Sequence, residues 1–324
     1  MVISAAKSSF AVPTISKLQR IFSSIIKKRE CTQKSSVSTH TSPDNKSSSE
    51  YCMETVRKFD YENFLSSLLY PESVRTTSFA VRAFNIELAQ IRDVVSDKQR
   101  GLMRMQFWKD TLNQIYQGVP PKSPIAMELH RVIQRHNLTK QWFTRLIEAR
   151  AEHLDKDRFQ KLSEVEEYAD RSVSPVLYIL LESLGIKNVH ADHAASHIGR
   201  SQGLVTLLRS TPFHASQGRV YFPIELLVKH DVSEEDVLRR KQTKGLTDLV
   251  YDVACSANQH LDTARKLKKD VPKEAIIVFL NTVMCEWYLK KIQKVDFDPF
   301  HPSLQHRNAL LPLHLWLQKF RRTY

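Results

Sequence analysis

The sequence predicts an all-α protein, a single bundle of about ten helices. Only 7 glycines occur in 324 residues, too few for the turns of a hairpin-rich sheet. Beyond residue 51 the apolar residues recur with the 3.6-residue helical period instead of alternating. No segment repeats at a period of roughly 20–50 residues, which argues against a solenoid.

The N-terminus stands apart. Between Met1 and Arg29 there are six Lys or Arg, no acid and many serines. On a helix Ile15, Leu18, Ile21, Phe22, Ile25 and Ile26 share one side, and Lys17, Arg20, Lys27 and Lys28 another. A basic, amphipathic, acid-poor leader has the character of a mitochondrial transit peptide, and a secretory signal would need an uninterrupted apolar core. The Ser-rich stretch that follows has little to bury and reads as a linker. The expected organisation is therefore transit peptide and linker over 1–50 and one helical domain over 51–324.

Within that domain the periodicity predicts helices at 54–69, 77–96, 99–117, 123–136, 139–156, 164–184, 189–209, 234–241, 246–270 and 273–293. Gly118 and Gly185 follow helices where a left-handed C-terminal cap belongs. Ser163 with Glu166 has the spacing of a capping box, and Pro272 suits a first helical turn. The segment 308–322 is apolar but interrupted by Pro312 and closed by Arg321 and Arg322. It either docks on the core or lies in a membrane interface with Trp316 and Phe320 inserted. No apolar run reaches the roughly 18–20 residues of a bilayer span.

Composition narrows the chemistry. The few glycines leave neither GxGxxG nor GxxxxGK[ST], which argues against dinucleotide and P-loop sites. Four scattered cysteines form no CxxC pair, which fits a reducing compartment. The formal net charge is +13. Its basic clusters at 239–241 and 265–269 have acids close by and read as solvated helix faces, so no nucleic-acid partner is expected. His190, His193 and His197 could face one way, but Ala194 stands where a zinc protease needs its glutamate. No metal is expected there.

Two segments, 79–93 and 203–223, carry the strongest signal. Together with "YADRSVSPVLYILLESLG" between them, they resemble the squalene/phytoene synthase family over residues 56–300. The resemblance implies an isoprenoid synthase helical fold. In such enzymes two Asp-rich motifs hold magnesium against a diphosphate leaving group. Magnesium takes oxygen ligands, and carboxylates three or four residues apart present them from one helix face. "GRVYFP" (218–223) falls in register with the family's second motif, and Arg209 fits the motif arginine. The carboxylate places between them hold Ser210, Phe213 and His214. Aligning "AF" at Ala83 and Phe84 puts Ala89 and Gln90 on the paired aspartates of the first motif and leaves only Asp93.

The expectation is a synthase-like shell without magnesium or other cofactor, a pseudoenzyme. Arg82, Arg209, Arg219 and Tyr221 are candidates for binding an anionic headgroup; the other reading pairs the arginines with acids at the core edge. The cavity could take a lipid or isoprenoid. Similarity to a mitochondrial branch of the family implies action on subunits or early assembly intermediates of respiratory complex I, peripheral to the inner membrane on its matrix side. A divergent magnesium-dependent prenyl transferase is the alternative.

Overall fold

The computed structural model describes residues 47–324 apart from Ser96 and Asp157. The leader falls outside the described residues. Among the described residues every regular element is helical.

The first helix, α1 (Ser48–Phe59), is locked by a capping box. The Glu50 amide donates to Ser47 Oγ and the Ser47 amide to the Glu50 carboxylate, 3.2 and 3.0 Å. Asp60 breaks the chain direction before α2 (Tyr61–Leu68), so the helix expected at 54–69 is two. Next come α3 (Glu72–Val94), α4 (Lys98–Tyr116), α5 (Pro124–His136) and α6 (Lys140–Asp155). Gly118 and Gly185 adopt φ of +83° and +71° at helix ends, as glycine at a left-handed cap must.

The helix expected at 164–184 is also split, into α7 (Leu162–Ser172) and α8 (Ser174–Ser183). Pro175 stands in the first turn of α8 and has no N–H to continue the ladder. The Ser163–Glu166 capping box does not form. The helix starts two residues earlier, with Lys161 at the cap position, and Glu166 instead accepts from Ser256 Oγ at 2.5 Å, across the bundle.

The longest element, α9 (Val189–Ser216), has 28 residues, about 42 Å at the usual rise. Its sequence-expected end at 209 is wrong: the helix continues through Pro212. Pro212 leaves the Leu208 carbonyl without its usual donor, and the hydroxyls of Ser210 and Thr211 donate to the Leu207 carbonyl beside it. Two glycines fix how α9 crosses its neighbours. A Cβ at Gly203 would stand 2.2 Å from the Ala169 Cβ, and one at Gly199 2.1 Å from Ser174 Oγ. Buried Asp170 ties the crossing together, pairing with Arg145 at 2.8 Å and accepting from Ser174 and Ser196.

The rest comprises α10 (Ile224–Lys229), α11 (Glu234–Leu238), α12 (Lys244–Lys266), α13 (Thr282–Gln293) and α14 (Leu311–Arg321). The periodicity gave no signal for α10, only six residues long. Pro272 does not open an α-helix; it precedes a 3₁₀ segment, Ala275–Asn281, that leads into α13. One apolar cluster joins α1, α3–α6 and α8, with Phe84, Phe143 and Phe279 wholly buried in it. A second joins the C-terminal half of α9 to α12 and α13.

Candidate functional site

Helix α3 carries the first motif segment and α9 the second. Their C-terminal ends meet through side chains. Arg219, in the loop after α9, donates to Asp93 Oδ1 at 2.9 Å. Arg92, next to Asp93 on α3, lies over the Tyr221 ring at 4.9 Å and donates to the His153 carbonyl at 3.2 Å.

Behind these arginines is a stack of rings. His153 of α6 lies parallel to Phe159 at 4.7 Å and tilts against Tyr168 of α7 at 4.7 Å. His214 of α9 meets the Tyr221 ring edge-on at 4.6 Å. The loop carrying Phe159 is held to the start of α10 by backbone bonds from Ile224 and Glu225, 3.1 and 3.0 Å. Deeper still, buried Arg150 donates to Asn85 Oδ1 at 2.7 Å, to the Leu146 carbonyl and, at 3.4 Å, to the Ser172 carbonyl.

The electrostatics follow from this packing. Burial lowers the His153 imidazole to about 3, helped by the positive charges of Arg92 and Arg150 and by His214. Burial likewise takes His214 to about 4; Asp93 opposes the shift, and Arg219 and Arg92 add to it. The Nδ1 atoms of both rings are buried without a hydrogen-bond partner. The site therefore holds two neutral imidazoles and rejects further positive charge.

A magnesium cluster does not fit this donor set. Divalent magnesium needs several oxygen ligands, and the motif positions offer one carboxylate, already neutralised by Arg219. Ala89 is exposed and has no donor, and the Ser210 hydroxyl is spent on its own helix. Phe213 is exposed and packs against His214 at 5.3 Å. Among the described residues no three His, Cys, Asp or Glu side chains come together as ligands. The space touching His214, Arg219 and Tyr221 measures about 10 Å³, room for about one water. His197, from the histidine-rich start of α9, turns to His260 at 2.9 Å and not to His193.

A larger cavity of about 380 Å³ opens beside Thr206, Arg209 and Ser210, closed on its other sides by Asp60, Asn63 and Arg307. Its lining is mixed: Lys58, Asp60, Glu62, Arg209 and Arg307 stand beside Phe59, Val205 and Met284, where a long apolar tail calls for a predominantly apolar wall. The three arginines singled out in the sequence each have an acid partner. Arg209 pairs with Glu62 at 2.5 Å, Arg219 with Asp93 at 2.9 Å, and buried Arg82 with Asp60 at 3.6 Å. Of the expected site residues, the structure gathers Asp93, His214, Arg219 and Tyr221 at one place, and puts Ser210 and Arg209 at the cavity. Arg82 lies in the core edge.

Sequence reasoning missed Arg92, Arg150, His153 and Phe159. None has a motif spacing; only Arg92, adjacent to Asp93, lies within the segment 79–93.

This arrangement has relatives. The squalene/phytoene synthase family matches residues 56–315. The human protein named NADH dehydrogenase (ubiquinone) complex I, assembly factor 6 is 51% identical over 289 residues, covering 89% of this chain and 87% of that one. A presqualene diphosphate synthase of Rhodopseudomonas palustris is 24% identical over 226 residues, 69% of this chain and 80% of its own. Among solved structures, a dehydrosqualene synthase superposes with a TM-score of 0.72 at 16% identity, over 85% of this chain and 95% of that one. The chain belongs to the squalene/phytoene synthase family.

Proposed function

We propose that this protein is a non-catalytic assembly factor of respiratory complex I, acting early in assembly on the matrix side of the mitochondrial inner membrane. The reading rests on the pairing of Asp93 with Arg219, where the motif ends meet. An arginine held there supplies the positive charge that a metal would otherwise bring, and it cannot be carried away with a leaving diphosphate. The names of relatives about half identical to this chain supply the biological context. The basic leader at 1–29 supports import into mitochondria. The partners are subunits or assembly intermediates of complex I.

The test is complementation of cells lacking the protein, read as assembled complex I on native gels. The native chain and Asp93→Ala restore the complex alike if no chemistry is involved. A chain lacking residues 1–29 fails, and regains function when given another matrix leader. In parallel, purified protein with prenyl diphosphates and magnesium releases no diphosphate. Turnover that Asp93→Ala abolishes would establish the prenyl transferase instead.

A further inference from the structure

Helix α14 is apolar on two opposite sides. Leu311 and Leu315 point into the bundle and are buried, 3% and 0% exposed. On the outward side Leu313, Trp316, Leu317 and Phe320 follow at i, i+3, i+4 and i+7, one stripe along a helix. Trp316 is 40% and Phe320 74% exposed, and their rings stack in parallel at 5.6 Å. A helix that merely docked on its own core would turn polar residues outward here.

The helix is also held fast. Lys319 donates to the Leu69 carbonyl at 2.8 Å, and C-terminal Tyr324 is buried with its hydroxyl on the Ala264 carbonyl at 3.1 Å. The outward stripe is thus presented on a rigid support, with its ordering already complete before anything binds.

The surrounding charge selects the occupant. From Pro299 to Tyr324 there are four Lys or Arg and no acid. Arg307, Arg321 and Arg322 are exposed, and arginine stems can lie along an apolar surface while their heads reach phosphate. An indole flanked by cations on a convex helix suits the headgroup level of a bilayer. A second copy packed on the same face by two-fold symmetry would bring these arginines together. At eleven residues, about 16 Å, the helix lies on a membrane and does not cross it.

We propose that α14 is the membrane-contact surface of this protein, inserting Trp316 and Phe320 among lipids and placing Arg321 and Arg322 on anionic headgroups. This rests on the membrane-surface part of the proposed function and gives it a location.

The full chain is mixed with vesicles of phosphatidylcholine and phosphatidylglycerol whose acyl chains are brominated, which quench a tryptophan in contact with them. Emission of the native chain falls, and in Trp316→Phe the quenching is lost, because Trp108, Trp142 and Trp287 remain on the protein side. Arg321→Gln with Arg322→Gln weakens partitioning roughly tenfold or more on these vesicles and leaves that on pure phosphatidylcholine unchanged. Equal quenching in native and Trp316→Phe protein overturns the proposal, even if vesicles still bind through the basic leader. So does the absence of quenching. A Phe320→Ser chain that binds vesicles normally but loses self-association or capture of a complex I intermediate assigns the stripe to a protein contact instead. None of these outcomes alters the complementation result with Asp93→Ala, so the two proposals fail separately.

Discussion

Acid should loosen this fold through His153. Its imidazole is held at about 3 in the folded protein, against an ordinary value of 6.5. Below 6.5 the unfolded chain takes up a proton that the folded protein refuses. Stability is therefore complete above about pH 6.5 and falls as pH drops toward 3. At about pH 5 the gap is about 1.5 pH units, worth about 2 kcal/mol at about 1.4 kcal/mol per unit. His214, held at about 4 and more open to solvent, adds roughly half as much in the same window. Burial also lowers His136 and His197, while buried Glu128 is raised and works the other way. The diagnostic quantity is accordingly a difference between proteins. Urea unfolding followed by circular dichroism at about pH 7.5 and about pH 5 gives the loss for the native chain and for His153→Phe, which keeps the stack on Phe159. The variant should lose about 2 kcal/mol less than the native protein. An identical loss in both would show that His153 titrates freely and that the ring stack is open to water.

Two further outcomes follow from the packing. Gly203→Ala drives a methyl group to 2.2 Å from the Ala169 Cβ and 3.0 Å from its Cα, so α7 must move. A cost of about 3 kcal/mol, roughly 6 °C or more in Tm, is expected, and an unchanged melting curve would refute the close crossing. Burial pushes the Cys52 and Cys285 thiols up to about 12, leaving almost no thiolate. Mass spectrometry after iodoacetamide treatment of the native protein should find Cys255 alkylated and Cys52 and Cys285 untouched; equal labelling of Cys285 would mean that the α13 core opens readily.

The helices were legible in the sequence wherever the apolar stripe was long and its ends were marked, as at α5 and α6. Errors fell where one residue overrode the period. Pro175 split a helix that the apolar residues alone would have continued, and Pro212, which removes one ladder bond, did not stop another. For the site, Asp93, His214 and Arg219 came to notice through the resemblance of two segments to the family's motifs, and the structure places the three side by side. His153, Phe159 and Arg150 were not legible. They reach the same place from α6 and a loop, elements far from both motif segments in sequence, and no period along one helix links them.

The Arg219–Asp93 link has a bearing on how this protein could change over time. Placing one acid at position 214 would set it within the field of Arg219 and Arg92, which already press on the imidazole. The new anion would be captured by guanidinium at once, and no cation from solution could compete for it. Several neighbouring positions would have to become acidic together before a hydrated ion gained a foothold, so single substitutions at this place do not build a metal site.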